Sequence, residues 1–106
     1  MTYRIFETQD FDNDFEKLEK FGKERVEKLL IKISESDGNV GKALRKSILK
    51  EKKFNGNRLY FLVYENFNVI LAVKISDKKT QQATIEAILI ELEHYRQFVI
   101  DQLRKT

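Results

Sequence analysis

The dipeptide Asn55-Gly56, which lies between two strand-like segments, constrains the fold more than any other feature of the sequence. Both residues tolerate the positive φ angles of a type I′ turn, so the dipeptide predicts a β-hairpin between segments 48–54 and 58–64. A second turn leads into segment 69–75, whose nearly continuous apolar residues are typical of a central strand. The middle of the chain is therefore predicted to form a three-stranded antiparallel meander.

The first third of the chain predicts one strand and two helices. Residues 2–8 are rich in β-branched and aromatic side chains, which strands favour. In segment 10–36, apolar residues recur at helical spacing on both sides of Gly22, and this pattern predicts a tight helical hairpin interrupted at that glycine. The apolar residues of both helices are predicted to lie in the core: Phe11, Phe15, Leu18 and Phe21 before Gly22, and Val26, Leu29, Leu30 and Ile33 after it.

One long C-terminal helix is predicted after a polar loop at residues 76–81, because apolar side chains again fall on a single helical face. His94 lies in this helix and is predicted to be a surface residue rather than a catalyst. The order of one strand, two helices, three strands and a final helix defines an α+β class with an antiparallel sheet.

Length and composition narrow the functional classes. A chain of 106 residues has room for one domain, which we expect to span residues 1–106. The sequence has no Cys, which excludes thiolate nucleophiles, and its single His is too few for a metal site built on imidazoles, so no cofactor is predicted. The first residues lack a secretory signal and the apolar runs are too short to span a bilayer. We therefore expect a soluble cytoplasmic protein with no membrane partner.

Positive charge is concentrated in the middle of the chain. The net charge of +3 averages −3 for residues 1–39, +7 for residues 40–79 and −1 for residues 80–106. A local excess of this size attracts polyanions such as nucleic acids, although an acidic protein partner and a solvated strand surface are alternatives. The basic residues of the middle segment are Lys42, Arg45, Lys46, Lys50, Lys52, Lys53, Arg58, Lys74, Lys78 and Lys79.

A site of this composition permits RNA cleavage. RNA supplies its own nucleophile, the 2′-hydroxyl, and the protein then needs cations for the transition state together with a base and an acid that need not be His. Crowding by like charges makes a lysine a better base, and the pairs Lys52-Lys53 and Lys78-Lys79 are predicted to provide such crowding.

Lysines are interleaved with apolar residues in the first strand of the predicted meander. Side chains of one parity share a strand face, so Lys50 and Lys52 are expected to lie beside Ile48 and Phe54. Such a face can hold a phosphate backbone while an aromatic ring stacks on a base.

Three segments resemble those of the RelE/ParE superfamily of type II toxin–antitoxin toxins. Residues 41–44, Gly-Lys-Ala-Leu, are similar to the Gly-Lys-Pro-Leu segment that follows the helical hairpin in that superfamily. Residues 57–63 are similar to its Tyr-Arg-(Ile/Val)-x-Tyr-Phe strand. Residues 69–81, which end in Lys-Lys-Thr-Gln, resemble an apolar strand and basic loop of the phage-derived, HigB-like branch. Ala43 and Thr84 depart from the pattern, since many relatives have Pro there.

The resemblance implies a RelE/ParE-like fold in which the N-terminal strand joins the meander. It also implies a metal-independent mRNA endoribonuclease that acts on the ribosome. Together with the charge pattern, it assigns catalytic roles to Arg58, Lys52, Lys78 and Lys79. The implied substrate-binding residues are Lys42, Arg45, Lys50, Lys53, Tyr60 and Lys74. The Arg and Tyr near the C-terminus of RelE toxins have no secure counterpart, so the general acid and base stay unassigned.

The resemblance further implies a cognate antitoxin, whose acidic segment would cover the basic surface. The expected targets are mRNA and the ribosome, and the free toxin is expected to be a monomer or a homodimer. Two alternatives stay open. ParE-like members inhibit DNA gyrase and do not cleave RNA, and an inactive member of the superfamily would only bind its antitoxin.

Overall fold

A computed structural model describes residues 2–44 and 48–105 of the chain. Within those ranges it contains five strands and four α-helices. In chain order they are β1 (Arg4–Glu7), α1 (Gln9–Glu16), α2 (Lys20–Glu35), β2 (Lys42–Ala43), β3 (Leu49–Phe54), β4 (Asn57–Tyr64), β5 (Val69–Asp77), α3 (Gln81–Ile90) and α4 (Leu92–Arg104). A short 3₁₀ turn, Glu65–Phe67, connects β4 to β5.

The strands form one mixed sheet in the order β1-β5-β4-β3-β2. β3, β4 and β5 are the predicted antiparallel meander, and β1 joins it parallel to β5. Asn55 and Gly56 have φ angles of 45° and 80°, and these values confirm the predicted type I′ turn. The two-residue strand β2 was not expected from the sequence and pairs with β3. The predicted α+β class is confirmed.

Thr8 ties the start of the helical hairpin to the centre of the sheet. Its hydroxyl donates to the carbonyl of Val73 at 2.7 Å and accepts the N–H of Phe11 at 3.0 Å, so it also caps α1. Val73 is an extra residue in β5, opposite the step between Tyr60 and Phe61 on β4. One side chain therefore holds a β-bulge and a helix start together.

The two faces of the sheet carry separate hydrophobic cores. α1 and α2 pack on one face, which we call the hairpin face, and α3 and α4 pack on the other, which we call the C-terminal face. The hairpin-face core comprises Phe11, Val26, Leu29, Ile33, Phe54, Leu59, Phe61, Val63, Ile70 and Ala72. The C-terminal-face core comprises Leu49, Tyr60, Leu62, Tyr64, Val69, Leu71, Val73, Ile85, Ile88 and Val99.

The helical hairpin breaks at residues 17–19, and the predicted break at Gly22 is wrong. Gly22 lies in the first turn of α2, where an added Cβ would sit 3.3 Å from the Cβ of Leu18. The glycine therefore permits close packing of the connecting loop against α2. Phe21, predicted to be a core residue, is 73% exposed, because α2 already begins at Lys20 and turns this ring outward.

The predicted long C-terminal helix is wrong in one respect, because it divides at Glu91 into α3 and α4. The N–H of Glu91 donates to the carbonyl of Ile88 at 3.0 Å, in a turn tighter than an α-helix. A straight helix over residues 81–104 would measure about 36 Å, longer than the 34 Å greatest dimension of the protein. The bend therefore keeps both apolar stripes on the sheet. No helix in residues 2–44 and 48–105 is long and apolar enough to cross a bilayer.

Candidate functional site

The register of the strands gathers charged side chains at one end of the C-terminal face, next to the Asn55-Gly56 turn. Directly paired residues on neighbouring strands point to the same face of a sheet. Farther from the turn, this face carries the apolar row Leu49, Leu62 and Leu71. The next row is Lys42, Glu51, Tyr60 and Lys74, and the row nearest the turn is Lys53, Arg58 and Ser76. We call these last two rows, together with the exposed Lys78 and Lys79 of the following loop, the basic end.

Arg58 is the buried cation of the basic end, with 8% of its surface exposed. Its Nε lies 3.7 Å from Oε1 of the buried Glu51, and its Nη1 donates to the carbonyl of Gly56 at 3.3 Å. Among the residues that the structure describes, the Nε has no hydrogen-bond partner. Gln81, the first residue of α3, donates from Nε2 to the same Glu51 oxygen at 2.6 Å. Arg58 was predicted to face substrate phosphate, but in this arrangement its guanidinium faces a carboxylate of the protein.

Tyr60 is fully buried beside this ion pair. Its hydroxyl lies 2.9 Å from Oγ of Ser76, which itself donates to the carbonyl of Asp77 at 3.0 Å. Burial raises the pKa of Tyr60, with a further rise from the nearby Glu51 and an opposing effect of the Ser76 hydrogen bond. The phenol therefore keeps its proton at neutral pH. Tyr60 is one of the residues predicted to bind substrate, and in this structure its ring is packed in the C-terminal-face core.

The Lys-Lys-Thr-Gln segment forms a loop that is anchored at both ends. Thr80 donates from its backbone N–H and from its hydroxyl to Oδ1 of Asp77, each at 2.9 Å. Both hydrogen bonds lower the pKa of Asp77, the one from the Thr80 backbone N–H more than the one from the Thr80 hydroxyl. Gln81 fixes the other end of the loop through Glu51. The exposed Lys78 and Lys79 lie between these anchors, beside the row that contains Arg58.

The two lysines predicted to share one strand face do so, but on the hairpin face and away from Arg58. Lys50 pairs with Phe61 and Lys52 with Leu59, and both partners belong to the hairpin-face core. Lys53 points to the opposite face, so the expected crowding between Lys52 and Lys53 does not occur along the strand. Ile48 also departs from the prediction: it precedes β3 and packs against the C-terminal-face core.

A depression at the open edge of the sheet is lined both by Lys52 and by residues of the basic end. β2 is so short that β3 lacks a neighbour beyond the Lys42–Glu51 pair. The depression there has a volume of about 360 Å³ and is lined by Gly41, Lys42, Glu51, Lys52 and Lys53. Three of the predicted site lysines therefore surround one concave surface.

Lys50 and Lys74, two further predicted residues, do not line this concave surface. Lys50 donates its ammonium to the carbonyl of Gly38 at 2.6 Å, in the loop that follows α2. Lys74 lies 3.5 Å from the carboxylate of Asp10 on α1, so part of its charge is compensated within the protein. Arg45 lies outside the described residues.

Three polar residues in or next to the basic end were not predicted from the sequence: Glu51 and Ser76 within it, and Gln81 at the start of α3. The signal for Glu51 was present, because a two-residue turn at Asn55-Gly56 pairs residue 51 with residue 60 on the face of Arg58. Gln81 was recognised only as part of a motif and not as a ligand of Glu51. His94, predicted to be a surface residue, is exposed on α4 and contacts the carboxylate of Glu91 through Nδ1.

The chemistry available at the basic end is that of ammonium and guanidinium groups with one buried carboxylate and one buried phenol. Within residues 2–44 and 48–105, no group of three or more His, Cys, Asp or Glu side chains is placed to hold a metal ion. The exposed lysines are suited to binding a phosphate chain, and the ion pair of Arg58 and Glu51 lies in the same rows as Lys42 and Lys53.

Comparisons with known proteins identify relatives at the level of structure. No protein-family model matches the sequence, and no curated protein matches it. The crystal structure of the intact E. coli RelBE toxin–antitoxin complex contains a chain with a TM-score of 0.65 and 19% identity, covering 71% of this chain and 95% of that one. The structure of a mutant of the E. coli toxin RelE in the free state matches with a TM-score of 0.71 and 20% identity, covering 83% of this chain and 96% of that one. A chain of the archaeal RelE–RelB complex from Pyrococcus horikoshii matches with a TM-score of 0.64 and 18% identity, covering 74% of this chain and 97% of that one.

These matches extend over nearly the whole length of the solved chains, and at such low identity they concern the arrangement of the backbone. They cover between 71% and 83% of this chain, which consists of the five-stranded sheet and the helices on its two faces. The protein has the fold of the RelE toxins.

Proposed function

We propose that this protein is the toxin of a type II toxin–antitoxin pair and cleaves mRNA on the ribosome without a metal ion. The observation that carries the proposal is the basic end, where exposed lysines from β2, β3 and the β5–α3 loop surround a buried arginine on a RelE-like fold. The anchored Lys-Lys-Thr-Gln loop supports the finer assignment to the HigB-like branch.

In the proposed reaction, the 2′-hydroxyl of the RNA attacks the adjacent phosphorus. The bond between O2′ and phosphorus forms, the bond between phosphorus and O5′ breaks, and the products carry a 2′,3′-cyclic phosphate and a 5′-hydroxyl. One proton leaves O2′ to a base and another reaches O5′ from an acid. The role of Lys52, Lys53, Lys78 and Lys79 is to hold the phosphate chain and to stabilise the extra negative charge of the transition state.

Arg58 acts in this scheme only after a change of partner. Its guanidinium now faces Glu51, and a substrate phosphate that enters the basic end offers it a bidentate anion in exchange. The released Glu51 carboxylate then lies next to the reacting groups and is a candidate base. Because Gln81 also binds Glu51, the exchange involves the first residue of α3.

The proposed partner is a small antitoxin protein. The E. coli and Pyrococcus horikoshii relatives occur in complexes with RelB. An antitoxin segment with acidic side chains would complement Lys42, Lys53, Lys78 and Lys79. Without this partner, the toxin is proposed to be a monomer or a homodimer.

Induced expression with mapping of mRNA ends tests the proposal. Growth arrest and new 5′-hydroxyl ends are expected for the wild type and should be lost in the variant Lys78→Ala/Lys79→Ala. The variant Lys28→Ala/Lys32→Ala changes two exposed lysines of α2 and is the matched control, with full toxicity expected. Arrest with intact mRNA and trapped gyrase–DNA complexes would contradict cleavage and favour a ParE-type gyrase inhibitor.

A second candidate function is a non-enzymatic one, in which the protein only binds its antitoxin. The burial of Arg58 against Glu51 favours it, since the only arginine in the basic end is already neutralised in the described structure. Harmless expression in a strain without any antitoxin would support this candidate, and toxicity that depends on Lys78 and Lys79 would exclude it.

A further inference from the structure

A separate cavity lies at the far end of β3 and β4 from the Asn55-Gly56 turn. Its volume is about 350 Å³, and its walls come from the loop after α2, the start of β3, the end of β4, the 3₁₀ turn and α4. The residues that line it on β3 and β4, Lys50, Val63 and Tyr64, are not among those of the basic end, so the two sites are distinct. We propose that this cavity binds one nucleotide, with the base beside Phe67 and the phosphate at the rim near Lys50 and Arg96.

Tyr64, one of the residues that line the cavity, carries a buried hydroxyl that lacks a partner among the described residues. Tyr64 is only 8% exposed, and its phenol oxygen makes no hydrogen bond in the part of the chain that the structure describes. A buried polar group without a partner is costly, and native proteins rarely keep one unless something binds it. Burial raises the pKa of Tyr64 to about 12, so at neutral pH the group is a proton donor. A ring nitrogen or carbonyl oxygen of a base is a suitable acceptor.

The inner walls are apolar and aromatic. Among the lining residues, Val63 is buried, and Ile48 and Phe67 are half-buried. The ring centroid of Phe67 lies 6.3 Å from that of Tyr64, with the planes tilted by 30°. A flat heteroaromatic ring gains from contact with such a surface, as bases do in sites for single-stranded nucleic acids.

The rim supplies positive charge and amide groups. Lys50 and Arg96 are the two cations among the described lining residues, against one carboxylate from Glu65. Lys50 is held in place by its bond to the Gly38 carbonyl and has further N–H donors available. Arg96 is exposed on α4, where its guanidinium can meet a phosphate. The amides of Asn39 and Asn66 complete the rim and can donate to or accept from the edge of a base.

The nucleotide has two possible sources, a free mononucleotide or one residue of an RNA strand. The second source rests on the proposed function, and the first does not. A 2′-O-methyl RNA oligomer distinguishes them in the intact protein, because it presents the same bases and phosphates but lacks the attacking hydroxyl. Binding can then be measured without cleavage.

Titrations followed by backbone amide NMR shifts test the cavity with AMP, GMP, CMP and UMP, with the matched nucleosides and with the 2′-O-methyl oligomer. Saturable shifts at Asn66, Phe67 and Arg96 are expected for at least one mononucleotide or for the oligomer. Nucleosides should bind about tenfold more weakly than their monophosphates, which is the size of effect expected for a charge-assisted contact. A mononucleotide that binds as well as the oligomer indicates a free ligand, and an oligomer that binds about tenfold tighter indicates an RNA residue.

Two variants and two matched controls decide the outcome. Tyr64→Phe removes only the hydroxyl, Arg96→Gln removes only the charge, and each should weaken binding about tenfold. Tyr95→Phe and Arg104→Gln make the same changes on α4 outside the cavity and should leave binding unchanged. Unchanged affinity in both test variants, or no shifts at the cavity with any probe, would overturn the proposal. RNA cleavage at the basic end is scored separately, so failure of either proposal is recognisable on its own.

Discussion

Gln81, the first residue of α3, donates its side-chain amide to Oε1 of Glu51 at 2.6 Å, and the same oxygen lies 3.7 Å from Nε of Arg58. One carboxylate atom therefore connects the C-terminal helices, the β3–β4 hairpin and the buried cation of the basic end. If a ligand draws Arg58 away, Gln81 is left as the other partner of this Glu51 oxygen. The basic end and the start of α3 are thus linked through Glu51.

The Glu51–Arg58 pair should be strongly coupled in stability. Glu51→Gln leaves a buried guanidinium without a counter-charge, and we expect the free energy of unfolding to fall by about 3 kcal/mol. The double variant Glu51→Gln/Arg58→Met removes both charges and should recover most of that loss. Urea unfolding of the four proteins in a double-mutant cycle measures the coupling, with the exposed Glu65→Gln as the control. Additive effects of the two changes would contradict the pairing.

The anchor between Asp77 and Thr80 should appear in an acid titration. Hydrogen bonds from Thr80 lower the pKa of Asp77 below its ordinary value of 3.8, so the folded state favours the ionised carboxylate. The stabilisation is complete above that value and is lost as the pH falls through the lower folded pKa. Carboxyl-carbon NMR of Asp77 should show the low pKa in the wild type and a partial rise towards 3.8 in Thr80→Val, which removes the hydroxyl bond and keeps the N–H bond. The same midpoint in both proteins would contradict the anchor.

The ionisation of Glu7 should lower the stability of the fold, whereas the ionisation of Asp77 raises it. Burial raises its pKa above 4.5, with further rises from the hydrogen bond and the charge of Asp12. The folded state therefore binds more protons than the unfolded state between pH 4.5 and the raised value, and stability falls as the pH rises through that interval. Glu7→Gln should remove this fall and raise stability at pH 7 by about 0.5 kcal/mol, a figure reduced for partial exposure. Urea unfolding at acidic and neutral pH measures it, and Glu24→Gln on the exposed side of α2 should show no such effect.

Gly38 and Gly56 give a matched pair for backbone strain. Both have φ near 80°, but a Cβ at Gly38 would lie 2.7 Å from Cγ2 of Val63, whereas nothing lies within 4 Å at Gly56. Gly56→Ala should cost about 1 kcal/mol from the unfavourable φ alone. Gly38→Ala adds a clash with a buried side chain and should cost about 3 kcal/mol. If both variants lose the same stability in thermal unfolding, the Val63 side chain moves aside without an energetic cost, and the predicted clash is contradicted.

Local sequence signals predicted most of the sheet. The features that they did not predict depend on tertiary contacts. Asn55-Gly56 fixed the central hairpin because a type I′ turn depends on two adjacent residues. The hairpin break eluded prediction because Gly22 serves close packing with Leu18 instead of ending a helix. The bend at Glu91 has no Gly or Pro to mark it, and it keeps the C-terminal region shorter than a straight helix of the same residues would be.

The sequence predicted which basic residues belong to the candidate site. It did not predict which side chains those residues contact. Counting lysines located the basic segment but treated Lys50 and Lys52 as neighbours of Arg58, although strand parity places them on the other face. Glu51 was overlooked because it is a single acid in a basic run, and its contact with Gln81 depends on where α3 begins. Such contacts between distant segments have no local sequence signal.

Cleavage of a defined mRNA in a reconstituted translation reaction tests the central claim most directly. One substrate carries ribose at the mapped cleavage position, and the second carries 2′-deoxyribose at that position alone. If the substrate's own hydroxyl is the nucleophile, the first is cut to a 2′,3′-cyclic phosphate and a 5′-hydroxyl, and the second stays intact at that position. Equal cleavage of both substrates, or products that carry a 5′-phosphate, would contradict the proposed chemistry of the basic end.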